Sequence, residues 1–174
     1  MGIQFETDYN METLTAMAKG LRKTVRRKRS RRVHIFAAVV LILGLLTILA
    51  TTAGGEPLGA SGVVTLLAML VVILVSLFED KLNAWFARKR LLPGTEHAVA
   101  TFEEDGYVSA TGVTESRFSY AQIVAVAETA RYFVFALSSH HTQAYDKRTI
   151  RGGSVEDFRA FIAEKTGKPV EDIK

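Results

Sequence analysis

Two stretches constrain this chain before anything else. HIFAAVVLILGLLTILATTA, residues 34–53, and GVVTLLAMLVVILVSLF, residues 62–78, contain no Asp, Glu, Lys or Arg. Twenty residues rising about 1.5 Å each make a helix of roughly 30 Å, the depth of a hydrocarbon core. The second run is at the short end for a span. Its helix is expected to continue through Lys81 and Leu82 to Trp85 and Phe86, where interfacial aromatics belong. Gly54, Gly55, Glu56, Pro57 and Gly59 interrupt the helix between the runs, and so short a connection joins only antiparallel neighbours. A buried soluble hairpin would need partner surface on all sides. A cleaved signal peptide does not fit the long charged region ahead of the first run or the second run behind it. The expectation is a two-helix transmembrane hairpin over residues 34–90.

The charge around these runs is segregated. Residues 1–33 carry a net +6, and residues 95–174 a net −3. The high pI therefore belongs to a short arm and not to a folded basic domain. LRKTVRRKRSRRV packs eight Lys or Arg into the eleven positions from Arg22 to Arg32, and Lys81, Arg88, Lys89 and Arg90 follow the second run. The connecting loop has no base. Positive flanks mark the cytoplasmic side, so both termini are expected in the cytoplasm and the loop outside, in a multi-pass protein of the cell membrane.

Ahead of the spans, Ile3 and Phe5 alternate with Gln4 and Glu6, a strand pattern placed within residues 1–9. From Asn10, an N-cap residue, Met11, Leu14, Met17, Leu21 and Val25 recur at helical spacing. Residues 10–33 thus read as a basic amphipathic helix. Two readings stay open at this point: the helix lies on the inner leaflet, or it runs on into the first span.

Pro93 and Gly94 close the membrane part, and a domain over residues 95–174 begins. Six short segments with alternating apolar residues, 97–103, 107–111, 114–120, 122–129, 131–138 and 141–146, predict an antiparallel sheet folded on itself as a barrel or sandwich. Asp105–Gly106 between the first two is a hairpin turn. Ser154-Val-Glu-Asp157 is a capping box opening a helix over about 155–165, whose stripe of Val155, Phe158, Phe161 and Ile162 is expected to cover one opening of the sheet. The strand within residues 1–9 is expected to join this sheet as a seventh strand. The fold class is α+β.

FEEDGYV, FSYAQIVAVAETARYFVFAL and AYDKRTIRGGSVEDFRAFIAEK resemble the C-terminal domain of the YcxB-like family of bacterial membrane proteins, over about residues 97–165. The resemblance implies a pleckstrin-homology-like (PH-like) fold of seven strands capped by a helix, in a bacterial inner membrane. It supplies no functional residues.

The search for chemistry yields little. There is no Cys, which excludes disulfides, Cys–zinc sites and thiol nucleophiles. No nucleophile elbow, phosphate loop, zinc-protease or dinucleotide motif is present, so no catalytic residue, cofactor, metal or small-molecule substrate is expected. His140 and His141 are adjacent in a turn and read as exposed turn histidines. Glu128 is expected to pair with Arg131 across a turn. The uncharged spans argue against a pump or carrier, and bases abutting a span, without interleaved aromatics, argue against nucleic acid.

What remains is a non-enzymatic membrane-anchored interaction or regulatory module with a protein partner or a second copy. The alternative is a module responsive to anionic membrane lipids, with head-group contacts from Arg26, Arg27, Lys28, Arg29, Arg31, Arg32, Lys147, Arg148 and Arg151.

Overall fold

The computed structural model describes residues 2–55 and 58–173, so Glu56 and Pro57 of the expected interhelical turn lie outside the described residues. The chain begins with β1 (Ile3–Asp8), which pairs antiparallel over its whole length with β2 (His97–Phe102) on the far side of the helices. β3 (Tyr107–Thr111) and β4 (Glu115–Phe118) complete a sheet of order β1-β2-β3-β4. The Asp105–Gly106 hairpin is present, closed by Glu103 N–H donating to the Gly106 carbonyl at 2.8 Å. The arm strand therefore does belong to the C-terminal domain.

A second sheet has the order β7-β6-β5-β8, from β5 (Ala125–Glu128), β6 (Tyr132–Ala136), β7 (Thr142–Asp146) and β8 (Val170–Asp172). This corrects two expectations. The described residues hold eight strands, not seven, and β8 runs parallel to β5, so the domain is not purely antiparallel. The sheets also stay separate, a sandwich and not a closed barrel. The end of the expected segment 114–120 and the start of 122–129 are not strand but hold a 3-10 turn over Tyr120–Gln122, opened by a capping box on Ser119.

Between the sheets lies an aromatic core of Phe5, Phe102, Tyr107, Phe133, Phe135 and Phe158, each less than 2% exposed. Phe158 of α5 (Val155–Thr166) meets Phe5 at 4.7 Å and Phe102 at 4.8 Å between ring centroids. Such edge-on contacts add to the area they bury. α5 starts as its sequence predicts. Ser154 Oγ accepts from Asp157 N–H at 3.1 Å, Asp157 returns the bond, and Gly167 ends the helix at φ +63°. Its Phe158 and Ile162 cover the core.

β6 was read as an alternating strand, yet all five of its residues are buried. Phe133 and Phe135 face the sandwich core. Tyr132 and Val134 join a second cluster with Ala16, Ala127, Ala144 and Ile173, beneath α1 (Met11–Lys23). A strand covered on both faces is apolar throughout. α1 is N-capped by Asn10, whose Oδ1 accepts from Glu12 and Thr13 N–H. Its apolar face is taken up by β6 and by α4. At Gly20 the absence of a side chain brings the two together, since a Cβ there would stand 2.6 Å from Val134 Cγ1.

The basic arm is not one helix. α1 ends at Lys23, a turn follows, and α2 (Arg27–Ala53) runs without a break from the bases into the apolar segment. α3 (Ala60–Leu77) returns beside α2. Both are long and apolar enough to cross a membrane, with mean hydropathy 2.7 and 2.6, and neither apolar window has a buried residue. The second helix does not run on unbroken. It is interrupted at Phe78 (φ −105°, ψ 18°) before α4 (Glu79–Lys89). α4 turns Ala84 inward as it packs along α1, while Phe78, Leu82 and Trp85 stay exposed.

Candidate functional site at the helix junction

The eight bases of the arm are sorted by the turn between α1 and α2. Arg22, in the last turn of α1, makes a two-pronged ion pair with Asp80 of α4, with Nε to Oδ1 and Nη2 to Oδ2 both at 2.7 Å. That geometry ties the two helices, and the hydrogen bonds Arg22 donates to Asp80 raise its pKa further. Arg26 sits in the turn and donates from Nε to the Ser139 carbonyl at 2.6 Å, which holds the β6–β7 loop against the helices. Arg29 begins a face of α2 that continues to Val33. Arg29 and Val33, four residues apart, share one face of α2, and Arg22 and Arg26 border the same groove from the end of α1 and from the turn.

That groove, of about 640 Å³, is enclosed by α1, the start of α2, α4 and the β6–β7 loop. Leu14, Met17, Leu21 and Phe86 form its apolar walls. Arg26, Arg29 and Arg90 line it as well, and His140 and His141 come from the loop. Its one lining carboxylate, Glu79, lies 3.9 Å from Arg22 Nε and 3.7 Å from His34 Nε2. Arg27, Lys28, Arg31 and Arg32 are exposed and do not line the groove.

The remaining candidates lie elsewhere, each beside a carboxylate. Lys147 donates to Glu128 at 2.6 Å with only 13% of its side chain exposed. Arg148 reaches Asp146 at 3.0 Å, and Arg151 reaches Glu6 at 3.1 Å. None of the three lines the groove. The expected Glu128–Arg131 pair does not form. Glu128 is held by Arg159 (Nε 2.7 Å) and Lys147, while Arg131 turns to Asp146 (Nη2 2.7 Å) and Glu12. Arg159's hydrogen bonds keep the Glu128 carboxyl below the usual range, with Lys147 adding to the effect and burial opposing it. In the core, burial raises the Tyr107 hydroxyl, which donates to Gln143 at 2.8 Å. No group of three or more metal-ligating side chains occurs among the described residues.

Sequence reading missed Asp80, Arg90 and the groove itself. A signal did exist: Asp80, Ala84 and Ala87 recur at helical spacing, a face of small residues opposite the Phe78–Leu82–Trp85 stripe.

Residues 102–162 match the family described as YcxB-like protein. This segment belongs to the YcxB-like family. No curated protein and no solved structure matches the chain. The YcxB-like segment runs from the end of β2 to the third turn of α5 and contains the aromatic core apart from Phe5 of β1. It contributes the β6–β7 loop to the groove, whereas α1, α2 and α4 lie outside the match.

Proposed function

We propose that the chain is a non-enzymatic, multi-pass protein of a bacterial cell membrane. Its YcxB-like domain serves as a PH-like interaction module on the cytoplasmic side, engaging a protein partner or a second copy. The observation that carries this reading is the β1–β2 pairing. It joins the segment before the two apolar helices to the segment after them in one sheet, which requires an even number of crossings if those helices span. The Lys and Arg flanks at that end favour the cytoplasm. The non-enzymatic reading draws support from the two carboxylates buried among the described residues, Glu128 and Asp146, both committed to structural ion pairs.

The absence of cysteine makes topology directly measurable. With Ser61→Cys, a membrane-impermeant maleimide is expected to label intact cells. Glu164→Cys on α5 is expected to label only after lysis. Labelling of Glu164→Cys in intact cells, or recovery of the protein in the soluble fraction after carbonate extraction, would refute the anchor reading. For the partner, crosslinking in cells is expected to give a discrete higher-mass species. Monomer alone contradicts the interaction role.

A further inference from the structure

We propose that the groove between α1, α2, α4 and the β6–β7 loop holds the phosphate-bearing head group of one anionic phospholipid. The inference rests on the membrane-anchored reading and names what the junction binds. A volume of about 640 Å³ is in the range of small-molecule sites. Its lining suits an amphiphile: Arg26, Arg29 and Arg90 stand among Leu14, Met17, Leu21 and Phe86. Arg26, Arg29 and Arg90 have no carboxylate within ion-pair distance among the described residues, whereas Arg22 is neutralised by Asp80. Arg26 is pre-positioned by its Nε bond to Ser139, which leaves both terminal nitrogens for a two-pronged contact with a phosphate.

Position decides between a lipid and a free anion. The arginine face of α2 ends at Val33, where the helix turns apolar, so the groove opens at the depth where lipid head groups lie. Apolar walls contribute nothing to inorganic phosphate but cover the glycerol and upper acyl carbons of a lipid. The same geometry separates this site from diffuse attraction of a basic arm to an anionic surface. Diffuse attraction counts every base equally, whereas a groove counts only those that face it.

The test uses the full chain, purified in detergent and stripped of lipid, with binding followed by native mass spectrometry. Phosphatidylglycerol and phosphatidylcholine of identical acyl chains are titrated in turn. One phosphatidylglycerol is expected to bind at least tenfold more tightly than phosphatidylcholine. Arg29→Gln with Arg90→Gln is expected to weaken it roughly tenfold or more. Arg31→Gln with Arg32→Gln removes the same charge off the groove and is expected to change it less than about twofold. Should the first pair lose its thermal transition, Arg90→Gln alone carries the comparison. Equal affinity for the two lipids, equal losses from the two pairs, or displacement by millimolar inorganic phosphate would each overturn the proposal. Those failures, in protein that still resists carbonate extraction, leave the anchor reading standing, while soluble protein removes both.

Discussion

Replacing Gly20 by alanine tests the docking of α1 on β6, and the two possible answers differ in sign. On a helix face free of contacts, Gly→Ala stabilises by about 1 kcal/mol, because alanine confines the unfolded chain and favours the helix. At Gly20, however, the added Cβ would stand 2.6 Å from Val134 Cγ1 and 3.0 Å from Val134 Cβ. Val134 is 1% exposed and β-branched, so it has little freedom to rotate away. Overpacking of this kind costs about 1–3 kcal/mol. Set against the propensity gain, the expected net loss is roughly 1 kcal/mol, a fall in Tm of about 4–8 °C for a domain of this size. Val134→Ala makes room for the new methyl while costing about 2 kcal/mol by itself. The double variant is then expected to be more stable than the sum of the singles by about 1 kcal/mol. Thermal unfolding of the full chain in detergent, for wild type and the three variants, measures all four corners of the cycle. A rise in Tm for Gly20→Ala, or strict additivity, would mean that α1 does not rest on β6, and the account of the junction would fail.

Three further outcomes follow from the sandwich. Glu128→Gln leaves Lys147, with 13% of its side chain exposed, without its carboxylate, and is expected to destabilise by about 2–3 kcal/mol at pH 7 in urea unfolding. Because Arg159 depresses the folded-state pKa of Glu128, this contribution is present above the unfolded value of about 4.3 and is lost as pH falls through the lower folded value, so the gap to wild type is expected to narrow below about pH 4. Gly152→Ala sets a side chain at φ +83°, with its Cβ driven against the Gly2 carbonyl oxygen, and is expected to cost more than about 2 kcal/mol in the same assay. Ser154→Ala removes the α5 cap and is expected to cost about 1 kcal/mol; a change below a few tenths would show that the capping box contributes nothing.

Features with a local cause were legible from sequence. The apolar runs, the Asn10 and Ser154 caps, the Gly167 terminus and the Asp105–Gly106 hairpin all appear where residue chemistry puts them. β1 was legible because Ile3 and Phe5 alternate. What escaped depends on partners distant in sequence. β8 is three residues long and owes its place to parallel pairing with β5 and to burial of Ile173, neither of which leaves a periodic trace. Glu128 sits three residues from Arg131, but the turn aims it at Lys147 and Arg159, 19 and 31 positions away. The continuous apolar run of β6 did hold information that the alternating reading passed over: a strand buried on both faces requires a layer outside the sandwich. That layer is α1, and from it the groove follows.

α1 is shared between two packing surfaces, and that sharing gives the junction its mechanical character. One side lies on β6 through Ala16, Met17 and Gly20. Another is clamped to α4 by Arg22 and Asp80, and β1 anchors the preceding residues in the first sheet. Only a short turn separates α1 from α2, and only Phe78 separates α3 from α4. The domain therefore does not hang from two loose tethers; its orientation relative to the apolar helices is set by one shared helix. A ligand shifts such an arrangement only through contacts that differ between its states. Arg29 on α2 and Arg90 at the end of α4 both line the groove beside that shared helix. A phosphate held in that groove would act where apolar helix and sheet meet the same thirteen residues.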